Sequence, residues 1–411
     1  MTKEVMSIAI YTLTSELHDE KAVSAVTKEF LDSLQLQEAS EGEAVNGFEF
    51  KGGDYADYGS HALDLIYVRT GGTEDIFKRL LPDLLSKSAR PFYLLTSGKS
   101  NSLAASMEIL SYLRQKGYKG EIVHGNPTYI SKKIMLLAKA GEVRMRLRDC
   151  RLGIIGEPSD WLIASHADKE SVKKQLGIEL VDIPMQELID IIGVTPQLSK
   201  SEQASNDVVT NSLPGAYQIY DALKVLVGKE RLQGFTIRCF DLLTSVWNTG
   251  CLALAKLNAE GIVAGCEGDV PAMLSMMIAQ AMLGVSGFQA NPASIDPETD
   301  EMLFAHCTIP LNMVERYEYD THFESGIGVG IRGYAKEGPV TVFKVSGDLS
   351  RHFIAEGELL RNQAKPDLCR TQQVIRLSDP TKASYFLTEP IGNHHIILPG
   401  HHQALLEEIL K

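Results

Sequence analysis

The sequence predicts an α/β protein with two Rossmann-like, doubly wound parallel-sheet domains followed by a β-rich C-terminal domain. First, up to about residue 290, short apolar runs alternate with stretches whose apolar residues recur at helical spacing. This alternation is typical of βαβ units. Second, the remaining chain changes to β-rich segments separated by Gly, Asp and Pro turns. We expect domains at residues 1-150, 151-300 and 301-411 of the 411-residue chain.

The first domain is predicted from four apolar runs, which are residues 8–13, 63–68, 92–96 and 121–124. Apolar residues at helical spacing mark two helices between them. These are Val23, Val26, Phe30 and Leu34 in one, and Leu103, Met107, Leu110 and Leu113 in the other. Residues 97–102 lack the spacing of a phosphate-binding loop, so we interpret them as a Gly turn with a Ser or Asn helix cap.

The second domain is predicted to repeat this alternation, and the third to be antiparallel. Strands of the second domain are expected at residues 152–156, 179–183, 235–240 and 262–265, and helices at 216–228, 249–258 and 270–283. Further strands are expected at 302–306, 326–333, 339–345, 372–377 and 395–398, with a closing helix at 403–410.

Composition excludes several kinds of partner. The chain has 40 Lys and Arg against 53 Asp and Glu, a formal charge of -13, which argues against nucleic acid or an anionic membrane. No apolar run approaches the roughly 18 residues of a membrane span, and we expect no secretory signal. Six cysteines without a Cys-x-x-Cys pair favour reduced thiols in the cytoplasm.

Glu267 is the most informative residue of the sequence. It lies between a predicted strand and a long apolar helix, in the segment AGCEGD at 264–269. Two histidine elements follow: His306 at the end of a predicted strand, and the pair His394 and His395. Carboxylate oxygens and imidazole nitrogens can share one divalent metal, and open α/β sheets bind ligands beyond the carboxyl ends of their strands. We therefore predict a metal-assisted enzyme.

Several of these residues have a second interpretation. Asp269 is as easily the N-cap of the following helix as a supporting residue of the site. A single histidine such as His306 is most often structural unless other potential site residues accompany it. Adjacent residues of a strand point to opposite faces, so only one of His394 and His395 is expected to face the site.

A second polar group lies at another predicted strand end. Trp161 offers a flat apolar face, and Ser159 and Asp160 offer hydrogen-bonding groups, which together suit a sugar. An ordinary proline turn with a packed tryptophan is the alternative. Arg238 and Asp241 either bind an acidic or polyol ligand or form an internal ion pair.

Five segments, in their order along the chain, resemble the L-fucose isomerase-like proteins, which are related in fold to L-arabinose isomerase. They are IRCFD at 237–241, TGCLAL at 249–254, AGCEGD at 264–269, AHC at 305–307 and GNHH at 392–395. The resemblance runs over most of the chain. It implies two Rossmann-like domains and a β-rich domain, and aldose–ketose isomerisation through a cis-enediol with a divalent metal, usually manganese (Mn2+).

The resemblance also implies roles for single residues. Glu267 looks like the metal-binding carboxylate that can also act as base, with His306 and either His394 or His395 as the other metal ligands. In the family, the metal holds the sugar oxygens at C1 and C2 while a carboxylate moves a proton between these carbons. Family members assemble as homotrimers or homohexamers in which a neighbour's N-terminal domain completes the site, and we expect the same here.

The sequence departs from the family pattern at Asn291, where the family has a second carboxylate. An amide can ligate a metal or bind substrate, but it cannot take a proton at neutral pH. Either Asp269 substitutes for the missing acid, or one carboxylate suffices, or the isomerase activity is altered or lost. Two alternatives therefore stay open: a non-catalytic sugar-binding relative, and a metal-dependent lyase or epimerase that anchors a sugar acid through Arg238.

Overall fold

The computed structural model describes residues 7–34, 48–88, 90–197, 207–296 and 298–411. The chain forms two compact units, one of Met1–Met145 with Ala404–Lys411 and one of Arg146–Gln403. Parallel α/β sheets and a C-terminal antiparallel β-rich region are both present, so the predicted fold class is confirmed. The division into three domains at residues 150 and 300 stays a prediction.

The first unit is built on a five-stranded parallel sheet. Its elements are β1 (Ile8–Leu13), α1 (Glu20–Ser33), β2 (Glu49–Gly52), β3 (Leu63–Val68), α2 (Glu74–Lys87), β4 (Phe92–Leu95), α3 (Ser102–Gln115), β5 (Gly120–Val123) and α4 (Pro127–Leu147). The strand order is β2-β1-β3-β4-β5. Every residue of β1 and β3 is buried, as expected where helices cover both faces of a parallel sheet. The edge strand β2 is polar and half-exposed, so the search for apolar runs in the sequence did not predict this strand.

The turn before α3 differs from its prediction in one respect. Gly98 has a positive φ of 76°, as a Gly turn requires, but Asn101 at the start of α3 makes no side-chain cap hydrogen bond. A capping residue needs extended backbone to reach the free N–H groups, whereas Asn101 has a φ of 57°. The hydroxyl of Thr96 instead donates to Ser102 Oγ at 2.7 Å.

The second unit begins with a four-stranded parallel sheet. Its elements are β6 (Arg151–Ile155), α5 (Lys169–Leu176), β7 (Glu179–Ile183), α6 (Met185–Val194), α7 (Val208–Glu230), β8 (Gly234–Ile237), α8 (Asp241–Ser245), α9 (Cys251–Ala259), β9 (Val263–Gly265) and α10 (Val270–Leu283). The strand order is β7-β6-β8-β9. Helix α10 is buried along almost its whole length, which explains its continuous apolar sequence.

A closed barrel completes the second unit. Its elements are β10 (Phe288–Asp296), β11 (Glu301–His306), β12 (Arg316–Asp320), β13 (Gly330–Tyr334), β14 (Gly338–Val345), β15 (His352–Gln363), β16 (Thr371–Leu377), α11 (Tyr385–Thr388) and β17 (His395–Pro399). The barrel order is β10-β11-β16-β15-β14-β17, and β12 and β13 form a separate hairpin. The final helix, α12 (Gln403–Ile409), belongs to the first unit from Ala404 onward. Closure could not be predicted, because it depends on pairing between strands far apart in sequence.

Helix α10 joins the barrel to the second parallel sheet. It packs on strands of both, and Val345 N in β14 donates to Ser275 Oγ in α10 at 3.0 Å. The residues at the start of α10 are therefore held between sheet and barrel. Among the described residues, no helix is both long and apolar enough to cross a membrane.

A glycine in α4 gives a test of the packing in the first unit. A Cβ at Gly141 would lie 1.8 Å from the Ala62 carbonyl oxygen, a backbone atom that cannot move aside alone. We expect Gly141→Ala to lower the free energy of unfolding by about 2–3 kcal/mol, since overpacking forces the backbone to shift.

The matched control is Gly228→Ala in α7, where a Cβ meets no atom within 4 Å. It should be neutral or stabilising by up to about 1 kcal/mol. Urea denaturation followed by circular dichroism measures both, and equal stabilities would contradict the packing argument.

Candidate functional site

Three of the predicted metal ligands meet in the second unit. Glu267 follows β9, His306 ends β11 and His394 immediately precedes β17. Glu267 Oε1 lies 3.4 Å from His306 Nε2 and 3.5 Å from His394 Nε2. One ligand atom from each residue lies within 4.8 Å of the others, and all three residues are buried. This trio is the only such group of three or more potential ligands within the described ranges.

The backbone turn at Glu267 fixes the direction of its carboxylate. Glu267 has a φ of 62°, an unfavourable value for a residue with a side chain. Its carbonyl accepts a hydrogen bond from Ser159 N at 2.9 Å, and Gly268 N donates to Ile237 O at 2.9 Å. A Cβ at Gly268 would lie 2.5 Å from the Glu157 carbonyl oxygen, so this position needs glycine. Strained backbone of this kind persists only where its surroundings hold it, and it clusters at functional sites.

Trp161 holds the other carboxylate oxygen of Glu267. Its indole Nε1 donates to Glu267 Oε2 at 2.8 Å. The residue is 53% exposed, and its ring packs edge-on against Phe240, with the ring centroids 4.7 Å apart. Trp161 therefore combines two properties: it positions the carboxylate, and it still presents an apolar face beside it.

The Nδ1 atom of each of the two histidines has a partner outside the trio. His394 Nδ1 lies 2.9 Å from Asp269 Oδ2, so this carboxylate holds the proton on Nδ1. The Nε2 atom of His394 is buried and makes no hydrogen bond. His306 Nδ1 lies 3.0 Å from Thr308 Oγ1. Metal-binding histidines usually bond their second nitrogen in this way, so one carboxylate and two supported imidazoles fit a divalent cation.

Asp269 performs both of the tasks considered for it. Its Oδ1 accepts from Ala272 N at 2.8 Å and so caps α10, while its Oδ2 faces His394. Lys344 Nζ lies 3.5 Å from the same Oδ2, and both side chains are buried. Sequence reasoning missed Lys344, although a single lysine inside an apolar strand is a signal for a buried charge partner.

The charges of the cluster shift its pKa values strongly. Burial opposes ionisation of Glu267, but the neighbouring His394 and His306 hold its pKa well below the usual range. Burial also favours neutral His394, yet the negative charges of Glu267 and Asp269 raise its pKa to about 9. Burial would raise the pKa of Asp269, but Lys344 and His394 lower it to about 2. A metal that binds His394 would therefore have to replace a proton.

His395 lies apart from this cluster. Its Nε2 is 3.1 Å from the Tyr385 hydroxyl, and its Nδ1 is 3.0 Å from the Asn393 carbonyl. The ring packs among aromatic side chains, including Phe353 and Phe386. Burial lowers the pKa of His395 to about 3, so it is a neutral packing residue. Of the two adjacent histidines, the structure brings only His394 to the site, because they face opposite sides of the chain.

Arg238 is engaged by acidic partners of its own unit. It donates to Asp160 Oδ2 at 2.9 Å, to Asp241 Oδ1 at 3.1 Å and to the Pro158 carbonyl at 2.8 Å. The internal ion pair considered from the sequence is therefore present. With three acceptors on one guanidinium, the structure does not favour Arg238 as an anchor for a sugar acid.

The remaining predicted substrate-binding residues have different surroundings. Ser159 is almost fully buried, and its hydroxyl makes no hydrogen bond. Asn291 is partly exposed and lies opposite Ala305 in the ladder between β10 and β11. The strand continues past Asn291 to Asp296, so this residue lies within a barrel strand.

Another histidine near the site was not predicted. His322 belongs to the loop between β12 and β13, and its ring packs edge-on against Phe240 at 5.5 Å. Its Nδ1 lies 2.9 Å from Ser325 Oγ. Burial and the nearby His306 lower the pKa of His322 to about 4, so it is neutral at physiological pH. A single histidine in a polar loop carries no pattern that could have identified it.

Comparison with known proteins shows distant relatives. No family model matches the chain. Sulfoquinovose isomerase from Priestia aryabhattai is 24% identical over 262 residues, which cover 60% of this chain and 59% of the relative. Sulfoquinovose isomerase from Alkalicoccus urumqiensis is 22% identical over 278 residues, covering 63% of each chain. The chain thus spans less than two thirds of the length of these curated relatives.

The trio gives a direct test with metal alone. We expect the protein to bind Mn2+, and Glu267→Gln to weaken this binding by at least about 100-fold, because a neutral amide replaces the only carboxylate of the trio. Electron paramagnetic resonance of free Mn2+ during a titration measures the affinity.

The matched control is Glu318→Gln, the same change at an exposed glutamate in β12. Its Mn2+ affinity should stay within about twofold of the wild type, since it lies outside the ligand set. Equal affinities for Glu267→Gln and the wild type would contradict the assignment of the site.

Proposed function

We propose that this protein is a metal-dependent aldose–ketose isomerase that acts on a sugar through a cis-enediol. One observation carries the proposal: Glu267 Oε1 lies between the Nε2 atoms of His306 and His394, in a buried site. The curated relatives named sulfoquinovose isomerase support the reaction class. The sequence resemblance to L-fucose isomerase-like proteins supports it independently of the site geometry.

Three residues of the site would hold the metal: Glu267, His306 and His394. When bound there, a divalent ion such as Mn2+ would act as a Lewis acid on neighbouring sugar oxygens and make the adjoining C–H bond more acidic. Asp269 holds the proton on Nδ1 of His394, so Nε2 is the nitrogen that would bind the metal after losing its own proton. Burial of all three residues limits the access of water.

The surroundings of Glu267 suit a sugar. Trp161 and Phe240 provide an apolar wall beside the carboxylate, and the exposed part of the Trp161 ring is available to the C–H face of a sugar. The hydrogen bond from Trp161 and the turn at Glu267 prevent the carboxylate from rotating away. Because Arg238 is occupied by Asp160 and Asp241, a lyase or epimerase that acts on sugar acids has less support.

An assay with a panel of aldoses tests the proposed reaction. The protein is treated with EDTA, reloaded with Mn2+, and offered sulfoquinovose, D-glucose, L-fucose, D-arabinose and L-arabinose. We expect at least one of them to give its ketose, detected by 13C nuclear magnetic resonance. Turnover should disappear with EDTA and return with Mn2+, since the metal supplies the acidification of the C–H bond.

Two outcomes would count against the proposal. The first is stoichiometric Mn2+ binding without ketose from any member of the panel. The second is thermal stabilisation by a sugar without turnover, which would favour a non-catalytic sugar-binding protein. In either case Glu267→Gln serves as the inactive reference.

We also propose that the protein assembles as a homotrimer or homohexamer, as the sequence resemblance implies. Multi-angle light scattering at micromolar concentration measures the molar mass directly. A mass of three or six times the 45.2 kDa chain is expected, and a monomer would contradict the proposal.

A further inference from the structure

Gln289 is a buried amide that ties the barrel to the turn carrying Glu267. It lies in β10 and is only 2% exposed. Its Oε1 accepts a hydrogen bond from Cys266 N at 2.9 Å, and its Nε2 donates to Cys266 O at 3.2 Å. One side chain therefore bonds both backbone groups of the residue immediately before Glu267. The amide takes the place of a strand partner at the point where β9 has ended at Gly265.

The two bonds to Gln289 differ in how easily they could be replaced. The Cys266 carbonyl also accepts from Asp269 N at 3.2 Å and from Thr236 Oγ1 at 3.4 Å, so it has other donors. The Cys266 N–H bonds to Gln289 Oε1 alone among the described residues. Cys266 is buried, and a buried N–H without an acceptor is costly. Loss of the amide would leave such a donor one residue from Glu267.

The strand that carries Gln289 lies between the strands of the two histidines. On one side β10 pairs with β17, which directly follows His394, and on the other it pairs with β11, which ends at His306. Glu267 Oε1 lies 3.4 and 3.5 Å from the two histidine Nε2 atoms. These short distances require the Glu267 turn and β10 to keep a fixed relative position. Gln289 is a direct bond between the two.

The other hydrogen bonds of the turn do not reach the barrel. Glu267 has a φ of 62°, so its backbone needs restraint from its surroundings. Ser159 N donates to Glu267 O, and Gly268 N donates to Ile237 O. Both bonds join the turn to the side of the parallel sheet, since Ser159 follows β6 and Ile237 ends β8. Among the described residues, only Gln289 bonds the backbone of residues 266–268 from a barrel strand.

We propose that Gln289 is a positioning residue of the isomerase: through the Cys266 backbone, it holds the Glu267 carboxylate against the two histidines of the candidate metal site. This inference rests on the proposed function, because that metal site is its premise. A neutral amide suits the task, since it offers one acceptor and one donor without placing a second charge in a buried position. A carboxylate would lack the donor, and an apolar side chain would lack both groups.

Two variants of Gln289 in the full-length protein test this role. Gln289→Met removes both hydrogen bonds with little change of volume. It should weaken Mn2+ binding at least about 10-fold, the lower end of the usual effect of residues that orient metal ligands. Gln289→Asn keeps the amide on a side chain that is one methylene shorter, so its affinity should lie between those of the wild type and Gln289→Met. Electron paramagnetic resonance of free Mn2+ measures all three affinities.

The matched control is Gln372→Met, at a second buried glutamine of the barrel with the same bonding pattern. Gln372 Oε1 accepts from Lys365 N, and its Nε2 donates to Lys365 O, both at 2.8 Å. Lys365 lies in the loop between β15 and β16, outside the ligand set. Gln372→Met should therefore keep its Mn2+ affinity within about twofold of the wild type.

A tryptophan signal reports the position of Glu267 without metal. Trp161 Nε1 donates to Glu267 Oε2 at 2.8 Å, and the chain has only one other tryptophan, Trp247. In 1H–15N TROSY spectra of the EDTA-treated protein, the Trp161 indole proton should move upfield in Gln289→Met, because weakening of its hydrogen bond increases the shielding of this proton. The Trp247 signal should not move, and Trp247→Phe assigns the two signals.

Support for the role of Gln289 requires both a loss of Mn2+ affinity and a moved Trp161 signal. Either result without the other would overturn the role, and so would equal losses of affinity in Gln289→Met and Gln372→Met. If Gln289→Met does not fold, the same two readouts on Gln289→Asn decide, and wild-type values there would overturn the role.

The outcomes also separate this inference from the function on which it rests. If the wild type binds Mn2+ but converts no aldose of the panel, the isomerase proposal fails, while affinity and the Trp161 signal still decide whether Gln289 positions Glu267. If the wild type binds no Mn2+, the metal site fails, and the role of Gln289 fails with it.

Discussion

The bond between Asp269 and His394 is the interaction on which the site depends most. It holds a proton on Nδ1 of His394 and leaves Nε2 of the same ring facing Glu267. An isolated carboxylate buried as deeply as Asp269 would be too costly to keep ionised, but the charges of Lys344 and His394 offset this cost. Since Asp269 also caps α10, the same side chain ties the site to the packing between sheet and barrel.

Much of the candidate site followed from the sequence because its residues stand at boundaries between elements. Glu267 lies between an apolar strand and an apolar helix, and His306 is the last residue of a strand. The sequence pattern alone therefore placed both residues at the ends of strands. The alternation of strands and helices gave the fold class for the same reason, since periodicity is a local property of the chain.

What the sequence could not give depends on distant pairing or on single side chains. Barrel closure needs β17 to pair with both β10 and β14, and no local pattern encodes that. The contact of Trp161 with Glu267 spans 106 residues, and that of His394 with Asp269 spans 125. The Ser or Asn cap expected within residues 97–102 is not made by Asn101, because the backbone there is left-handed, which side-chain chemistry alone does not reveal.

The closed barrel has a consequence for how the site responds to fluctuations. In the barrel, β10 lies between β11 and β17, so His306 and His394 sit on either side of one central strand. Fraying of β17 would move His394 away from the candidate site, while Glu267 and His306 stayed close to each other. The full donor set therefore exists only while the C-terminal strand is paired, and a bound cation would slow hydrogen exchange of the β17 amides. In this sense the site and the last strand of the barrel form a single cooperative unit.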